Sequence, residues 1–577
     1  MRVRYKETKQ DEWETTQLTS RAGKSTGAYS KAWNTINEQG IQKYVNFDAV
    51  NEWQIINNLP NTHIFTTLAS IDTEYEEEIE IYVSESEKNN SKEEINQAKV
   101  RELNSWKENK VYEEVEFSNQ QCISGRWILK PKIIDGIQSM KARYVLRGFE
   151  EDQDFRTDSP TCLRETLRLA LALFPTQRWR INSIDFKTAF LQGGPIDRDI
   201  FVKPPKEAKT QKLWKLKKTA YGLKDAPREW YLRLKNEIVR LGCKMSSIDC
   251  GLFMMHEEEK LIGLLLVFVD DLLWGGDKFF ENTVIQKLKT TFTVGCEQSR
   301  VFKYVGINLI QEEDYSITLD QVAYINSINT IPITSERSTQ INDTITADER
   351  KQLRSALGKL NWISCTSRPD IRFNVGEIRT SKQAKVENIL KANKTITHVK
   401  NTLSDIKFPK FSCLQNVYLK VYTDASYANL EDKGSMGGHV VFLTDGFNAC
   451  PIAWQAKKIQ RIVRSTTAAE TLALVEGCEC AYLMARLFTE ITTGINKMPD
   501  KPIICVTDNN NLFKSSTSTN ALEDKRLQLE MNIVRQMVSR KEIELLWCNG
   551  QNQLSDVLTK EGASGVMLRQ VLHNGHF

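Results

Sequence analysis

The sequence predicts an α+β chain of several domains, and three observations carry that expectation. The chain has 577 residues, enough for about three to five domains on the usual scale of domain size. Strand-like and helix-like stretches interleave up to about residue 310, and residues 345–410 then read as mainly helical. Near residue 412 the pattern changes again: strands return from Val417, and a long helix follows from about Ser465 to Ile491. An apolar fraction of 40% is ordinary for globular proteins, so packed domains are expected.

Residues 1–56 read as short strands separated by turns, RVRYK, EWETTQLTSRA, KAWNTI and QKYVNF, with the turn-rich GKSTGAYS among them. Tyr5, Trp13 and Trp33 stand among several Lys and Arg. A small β-barrel is expected, either an ordinary β module or one that contacts nucleic acid. Residues 57–98 have the polar composition of a connector, strongly acidic at 74–88 (EYEEEIEIYVSESEK). From residue 99, VRELNSWKENKVYEEV suggests a helix, SGRWILKPKI and KARYVLRGF strands, RETLRLALALF a helix and INSIDF a strand. REWYLRLKNEIVRLG carries apolar residues at helical spacing. The expected divisions are 1–56, 57–98, 99–310, 311–411 and 412–577.

Net charge is only +4, so whole-chain charge says little about partners. Local charge says more: 211–219, QKLWKLKKT, and 457–464, KKIQRIVR, are basic. The 12 cysteines contain no C-x-x-C pair, and the lone Cys478-Glu-Cys480 has no second half, which argues against a zinc finger. The apolar run 261–269, LIGLLLVFV, is too short to span a bilayer. No signal peptide is apparent. A soluble intracellular protein with reduced thiols and no membrane partner is expected.

That apolar run leads directly into the chemistry. In LLLVFVDDLLWGG, residues 264–276, Asp270 and Asp271 follow a strand-like run and precede Leu272–Trp274. A hairpin whose turn is simply made by the two aspartates is one reading, since Asp suits tight turns. The other is a metal site: adjacent carboxylates flanked by buried strands are costly unless a cation sits there, and Mg²⁺ takes carboxylate oxygens together with substrate phosphates. Asp185, at the end of the strand INSIDF, is a candidate third carboxylate, with Phe190 five residues further on. Three such acids would hold two metals about 3.5–4 Å apart, the arrangement of nucleotidyl transfer. The last domain has its own acids. Asp424 ends the strand in VYLKVYTDASYAN, and Glu470 lies one turn into a helix opening at Ser465 or Thr466, both good N-caps. Asp508 ends ICVTD, and Asp556 lies on a short helix in LSDVLTK. Taken singly, Asp508 reads equally as a helix cap and Glu470 as a solvated charge.

The blocks RELNSWKENKVYEEV, KARYVLRGFEE, INSIDFKTAFLQGG, YGLKDAPREWY, LLVFVDDLLWGG, FKYVGINL and SALGKLNWISCTSRPDI resemble, in order, the reverse transcriptases of copia-type LTR retrotransposons. The resemblance covers roughly residues 100–405 and continues into the last domain. It implies a right-hand polymerase, with fingers and palm over 99–310 and the thumb and helical connection over 311–411, followed by a ribonuclease H-like α/β domain (412–577). Residues 1–56 resemble the DNA-binding barrel that ends an integrase. The resemblance implies that Asp185, Asp270 and Asp271 are polymerase metal ligands, and that Asp424, Glu470, Asp508 and Asp556 are those of ribonuclease H. Each site would take two Mg²⁺, with Mn²⁺ as a substitute. Trp454 and Trp547 fall in matching strands.

Phe190 corresponds to the aromatic beside the sugar of the incoming nucleotide, where a bulky ring excludes a 2′-hydroxyl; plain core packing is the alternative. Lys141, Arg143 and Arg147 fall in the fingers segment that holds the triphosphate. Lys224 and Arg228 would support template and nucleotide, with a solvated surface charge as the alternative for each. The chain departs from the family in carrying Phe268 where Tyr is usual, Asp225 where Gln is frequent, and Arg526 where many relatives have His. The expected partners are an RNA template, a DNA primer, the RNA/DNA hybrid, deoxynucleoside triphosphates, and integrase or other parts of the same polyprotein. The expected location is the cytoplasm, inside a virus-like particle, with the nucleus as the alternative. A catalytically inactive remnant that still binds nucleic acid is the competing reading, though all seven acids are present. With no zinc knuckle, protease signal or integrase core, the chain reads as the downstream part of a Pol polyprotein.

Overall fold

In the computed structural model, residues 87–577 are described apart from 135–136, 152–155, 381–382, 403–404 and 519–523; side chains are described from residue 93, apart also from 132–138 and 380. Of the first 86 residues, only the backbone of five strands is described. The chain divides into two compact units, Met1–Asn90 and Ser91–Phe577.

In the first unit, strands Arg2–Lys6, Glu14–Arg21, Ala32–Asn37, Gln42–Asn46 and Glu52–Ile55 form one antiparallel sheet in the order fourth, third, second, first, fifth. The fifth strand was not expected from sequence. The acidic stretch 74–86 lies outside the described residues. Helix Glu87–Glu108 starts twelve residues before the predicted division at 98/99, because KEEINQAK carries good helix formers despite its polarity.

The second unit is built on a six-stranded antiparallel sheet. Its order is Lys244–Met245, Leu252–Glu257, Lys260–Phe268, Asp271–Gly276, Asn182–Phe186, Val294–Ser299. Both faces of its central strands are covered, which is why LIGLLLVFV reads as an unbroken apolar run rather than alternating. Helix Arg164–Gln177 packs one face and helix Ala226–Arg240 the other. A hairpin, Gly125–Ile134 with Ile137–Leu146, precedes this sheet in the chain. Helices Ala347–Thr366, Arg372–Thr380 and Val386–Asn401 form the helical stretch the sequence predicts. The first of them opens with a capping box, Thr346 with Glu349.

The C-terminal sheet has the order Ala449–Lys458, Met436–Thr444, Tyr418–Ser426, Ile503–Thr507, Ile543–Trp547, antiparallel for the first three strands and parallel for the last two. Helix Thr466–Thr493, capped by Ser465, crosses over between the antiparallel and parallel halves. Its core is continuous with that of the central sheet. Arg168, 2% exposed, lies over the Trp454 ring (3.6 Å to the centroid) and donates to the carbonyls of Ile452 (3.1 Å), Thr366 (3.3 Å) and Cys365. Trp454 Nε1 donates to Ser364 O (2.8 Å). At the far end of the long helix, Glu490 accepts from Ser246 Oγ (2.6 Å) and from Ser247 N and Oγ (2.9 and 2.8 Å). Arg168→Met should therefore destabilise the chain by about 3 kcal/mol in urea unfolding, because it strands several buried carbonyls; an unchanged midpoint would show that the seam carries no such load. The family block SRPDI also proves internal: Arg368 and Asp370 form a buried bidentate pair (2.9 and 2.7 Å), and Arg569 joins it from the last helix (3.2 Å). Among the described residues, no helix is long and apolar enough to cross a membrane.

Candidate functional site

The first acidic cluster forms at one end of the central sheet. The two aspartates do not together make the turn: Phe268 pairs with Asp271, so Val269 and Asp270 are the turn and Asp271 opens the returning strand. Val269 sits at φ 59°, a left-handed conformation that a β-branched residue adopts only under constraint. The constraint is visible. Trp230 Nε1 donates to Val269 O (2.7 Å), and Phe186 N donates to Asp270 O (3.0 Å), pinning the tip from both sides.

Asp185 lies directly opposite Asp271 in the ladder, so their side chains share a sheet face. Burial, and then the charges of Asp270 and Asp185, push the Asp271 carboxyl up to about 7. Gly295 belongs to the same construction: a Cβ there would come within 2.5 Å of Asp185 Oδ2. Sequence reasoning missed Gly295, since a lone glycine in a strand carries no label until its neighbour is known.

Phe190 is half-buried and packs edge-on against Tyr221 (centroids 5.5 Å apart), at the junction of two hydrophobic clusters. Tyr221, also missed, ties this corner together. Arg143 lies over its ring at 5.1 Å, and its hydroxyl feels Asp270 and Asp185. Of the three basic residues expected to hold triphosphate, Arg143 is thus the one set against Tyr221. Lys141, two residues before it on the same face of the strand, acts with Arg143 on the buried Glu102. Arg147 lies 3.7 Å from Glu150.

The other two basic candidates have partners inside the protein. Lys224 donates to Glu151 O (3.0 Å), and Arg228 pairs with Asp158 (3.0 Å). Asp225, the departure from the family's Gln, is buried in a bidentate pair with Arg198 (2.6 and 3.0 Å) and is unavailable to a template.

The second cluster sits where the C-terminal sheet changes from antiparallel to parallel. Asp424 lies near the end of the central strand, Asp508 follows strand Ile503–Thr507, and Glu470 projects from the start of the crossover helix. Ligand atoms of Asp424, Glu470 and Asp508 all lie within 4.8 Å of one another; among the described residues no other trio of acids, histidines or cysteines is so close, Asp185–Asp270–Asp271 included. Asp508 is not a helix cap, because Asn509 fills that role. Glu470 is not a solvated charge but is 4% exposed, and its Oε2 is buried with no hydrogen-bond partner. Burial raises the carboxyls of both Glu470 and Asp424, and mutual repulsion raises Glu470 further. A buried, unpartnered oxygen among like charges favours a positive partner, and the all-carboxylate donor set fits a hard divalent cation.

Asp556 stands apart from the close trio and is paired with Lys560 (2.7 Å). Thr559 Oγ1 donates to Asp424 Oδ2. Thr559 and Lys560 were missed, although both stand in the quoted block LSDVLTK, with Lys560 one helical turn after Asp556.

Two acidic clusters thus stand on two different sheets, the first beside a strand-borne arginine and a tyrosine. Residues 109–343 match the family described as Reverse transcriptase (RNA-dependent DNA polymerase), and this stretch is a reverse transcriptase region of the retrotransposon Pol type. The Retrovirus-related Pol polyprotein from transposon RE1 of Arabidopsis thaliana is 28% identical over 469 residues, 77% of this chain and 31% of its own length. That from transposon TNT 1-94 of Nicotiana tabacum is 26% identical over 524 residues, 84% of this chain and 38% of its own length. The chain therefore spans about a third of the length of these curated relatives. A foamy viral protease-reverse transcriptase solved with double-stranded DNA aligns over 93% of this chain and 90% of its own, at 12% identity and a TM-score of 0.39, a likeness too loose to decide anything here.

Proposed function

We propose that the chain is an RNA-directed DNA polymerase of a copia-type retrotransposon and carries a ribonuclease H that degrades the RNA of RNA/DNA hybrids, each site working with two Mg²⁺. The observation that carries the polymerase reading is the cross-strand pairing of Asp185 with Asp271 at the Val269–Asp270 tip, inside the stretch that matches the reverse transcriptases. Support for the nuclease is the convergence of Asp424, Glu470 and Asp508 on an unpartnered, buried Glu470 oxygen.

Asp185, Asp270 and Asp271 would hold the ions at the first site, and Asp424, Glu470 and Asp508, with Asp556 beside them, at the second. Bound divalent ions supply the positive charge that lowers the pKa of the attacking hydroxyl or water and steadies the phosphate. The protein's own contributions are positional. The pinned turn fixes Asp270 and Asp271, and Gly295 leaves Asp185 its room. Arg143, set over the Tyr221 ring, offers charge toward a triphosphate. Phe190, braced by Tyr221, meets the sugar edge and excludes a 2′-hydroxyl. RNA template, DNA primer and deoxynucleotides are the substrates, and the freed DNA strand becomes the next template. Copying and degrading in one chain removes the RNA that would otherwise block second-strand synthesis.

The test is primer extension by the full chain with Mg²⁺ on an RNA template. Deoxynucleotides should be incorporated and ribonucleotides rejected, whereas Phe190→Val should admit ribonucleotides by a factor of tens or more. No extension by the parent protein would defeat the polymerase reading, and unchanged sugar discrimination in the variant would defeat the assignment of Phe190.

A further inference from the structure

The C-terminal site has two unequal halves. On one side Asp424, Glu470 and Asp508 converge, and Glu470 Oε2 is left without a partner. On the other side the protein supplies its own cation. Lys560 Nζ lies 2.7 Å from Asp556 Oδ1 and 3.2 Å from Asp424 Oδ1, and Thr559 Oγ1 takes the other Asp424 oxygen.

This placement is built into the backbone. Lys560 N and Thr559 N both donate to Asp556 O (3.0 and 3.1 Å), closing a short helical turn that aims Lys560 back at Asp556. Gly438, opposite Asp424 in the ladder, lets that turn seat against the sheet: a Cβ there would come within 2.7 Å of Leu558 Cβ and 2.8 Å of Thr559 Cγ2. A unit positive charge this close to Asp424 and Asp556 repels a divalent ion and occupies the oxygens that such an ion would use.

We propose that in the nucleic-acid-free protein the Lys560 ammonium occupies the Asp424–Asp556 half of this site, so that the free protein loads a single divalent ion, held by Asp424, Glu470 and Asp508. The second position opens only when Lys560 leaves its carboxylates. A phosphate of the bound RNA strand is the group able to draw it away, since an ammonium on a flexible four-carbon stem exchanges a carboxylate for a phosphate oxygen at little cost. Loading of the second ion thereby depends on substrate. This inference rests on the reading of the cluster as a metal site.

Its test is Mn²⁺ binding, followed by calorimetry and electron paramagnetic resonance, on the full chain without nucleic acid. The background is Asp270→Asn with Asp271→Asn, which silences the other site. The parent should bind one ion with a mononuclear spectrum. Lys560→Met, and independently Lys560→Gln, should bind two ions with a spin-coupled spectrum, the first about tenfold more tightly than in the parent; Lys560→Arg, which restores the charge, should return to one. Two ions in the parent, or one ion in both neutral variants, would overturn the role of Lys560. No ion at all in the parent would instead overturn the metal-site reading itself.

Discussion

Asp270→Asn should abolish primer extension on an RNA template while hybrid cleavage continues unchanged. The substitution keeps the shape of the side chain and leaves the Asp270 carbonyl free to accept from Phe186 N, so the pinned turn survives. What is lost is one carboxyl group at the tip beside Asp271. Removing a single preorganised electrostatic group typically costs about 10²–10³ in rate, and a metal ligand should cost at least that. The second cluster stands on a different sheet and shares no acid with the first, so cleavage is the internal control. Extension within tenfold of the parent would remove Asp270 from the chemistry.

Asp271→Asn should show the same loss with an additional signature. The folded protein holds the Asp271 carboxyl at about 7, well above its unfolded value. Between those values the folded state keeps a proton that the unfolded state has released, so stability falls as pH rises through that window and stays reduced above it. In chelator, the Asn variant should melt higher than the parent at pH 8, with the difference vanishing near pH 4. A variant that melts no higher at pH 8 would show that the carboxylates are not in electrostatic conflict.

Asp424→Asn should give the converse result, loss of hybrid cleavage by at least about a thousandfold with extension retained. Asp424 is fully buried and belongs to both halves of the second site, facing Glu470 and Asp508 on one side and Lys560 on the other. Neutralising it removes a ligand and also one of the two carboxylates that hold Lys560. Cleavage should be measured on a preformed RNA/DNA hybrid, so that any defect in copying cannot masquerade as a defect in cutting. If RNA is still cut at the parent rate, the second cluster is not a nuclease site, whatever its geometry.

Particular residues show how far the sequence reached. The Ser465 cap and the run that follows it located the long crossover helix to within two residues at each end. The Asp270–Asp271 pair stood out because adjacent carboxylates between apolar strands are costly without a cation, although a plain hairpin turn remained an equal reading until the family blocks were set beside it. Gly295, Gly438 and Tyr221 did not announce themselves, since each matters only through a neighbour more than 10 residues away in the chain. Lys224 and Arg228 read from sequence like ligand-facing cations, yet the fold gives them Glu151 and Asp158 as partners. Charge alone does not say toward what it points.

By itself the sequence determined which residue types occur in which local elements: the apolar strands, the capped helices, and acids at the ends of strands. Those are consequences of backbone periodicity and side-chain chemistry within a few residues. Only the tertiary structure decided that Asp271, not Asp270, pairs across to Asp185, that Asp225 turns inward to Arg198, and that Lys560 rather than open solvent faces Asp424 and Asp556. The reason is physical. Strand register and buried ion pairing are set by which distant surfaces exclude water together, and no local run of residues carries that information.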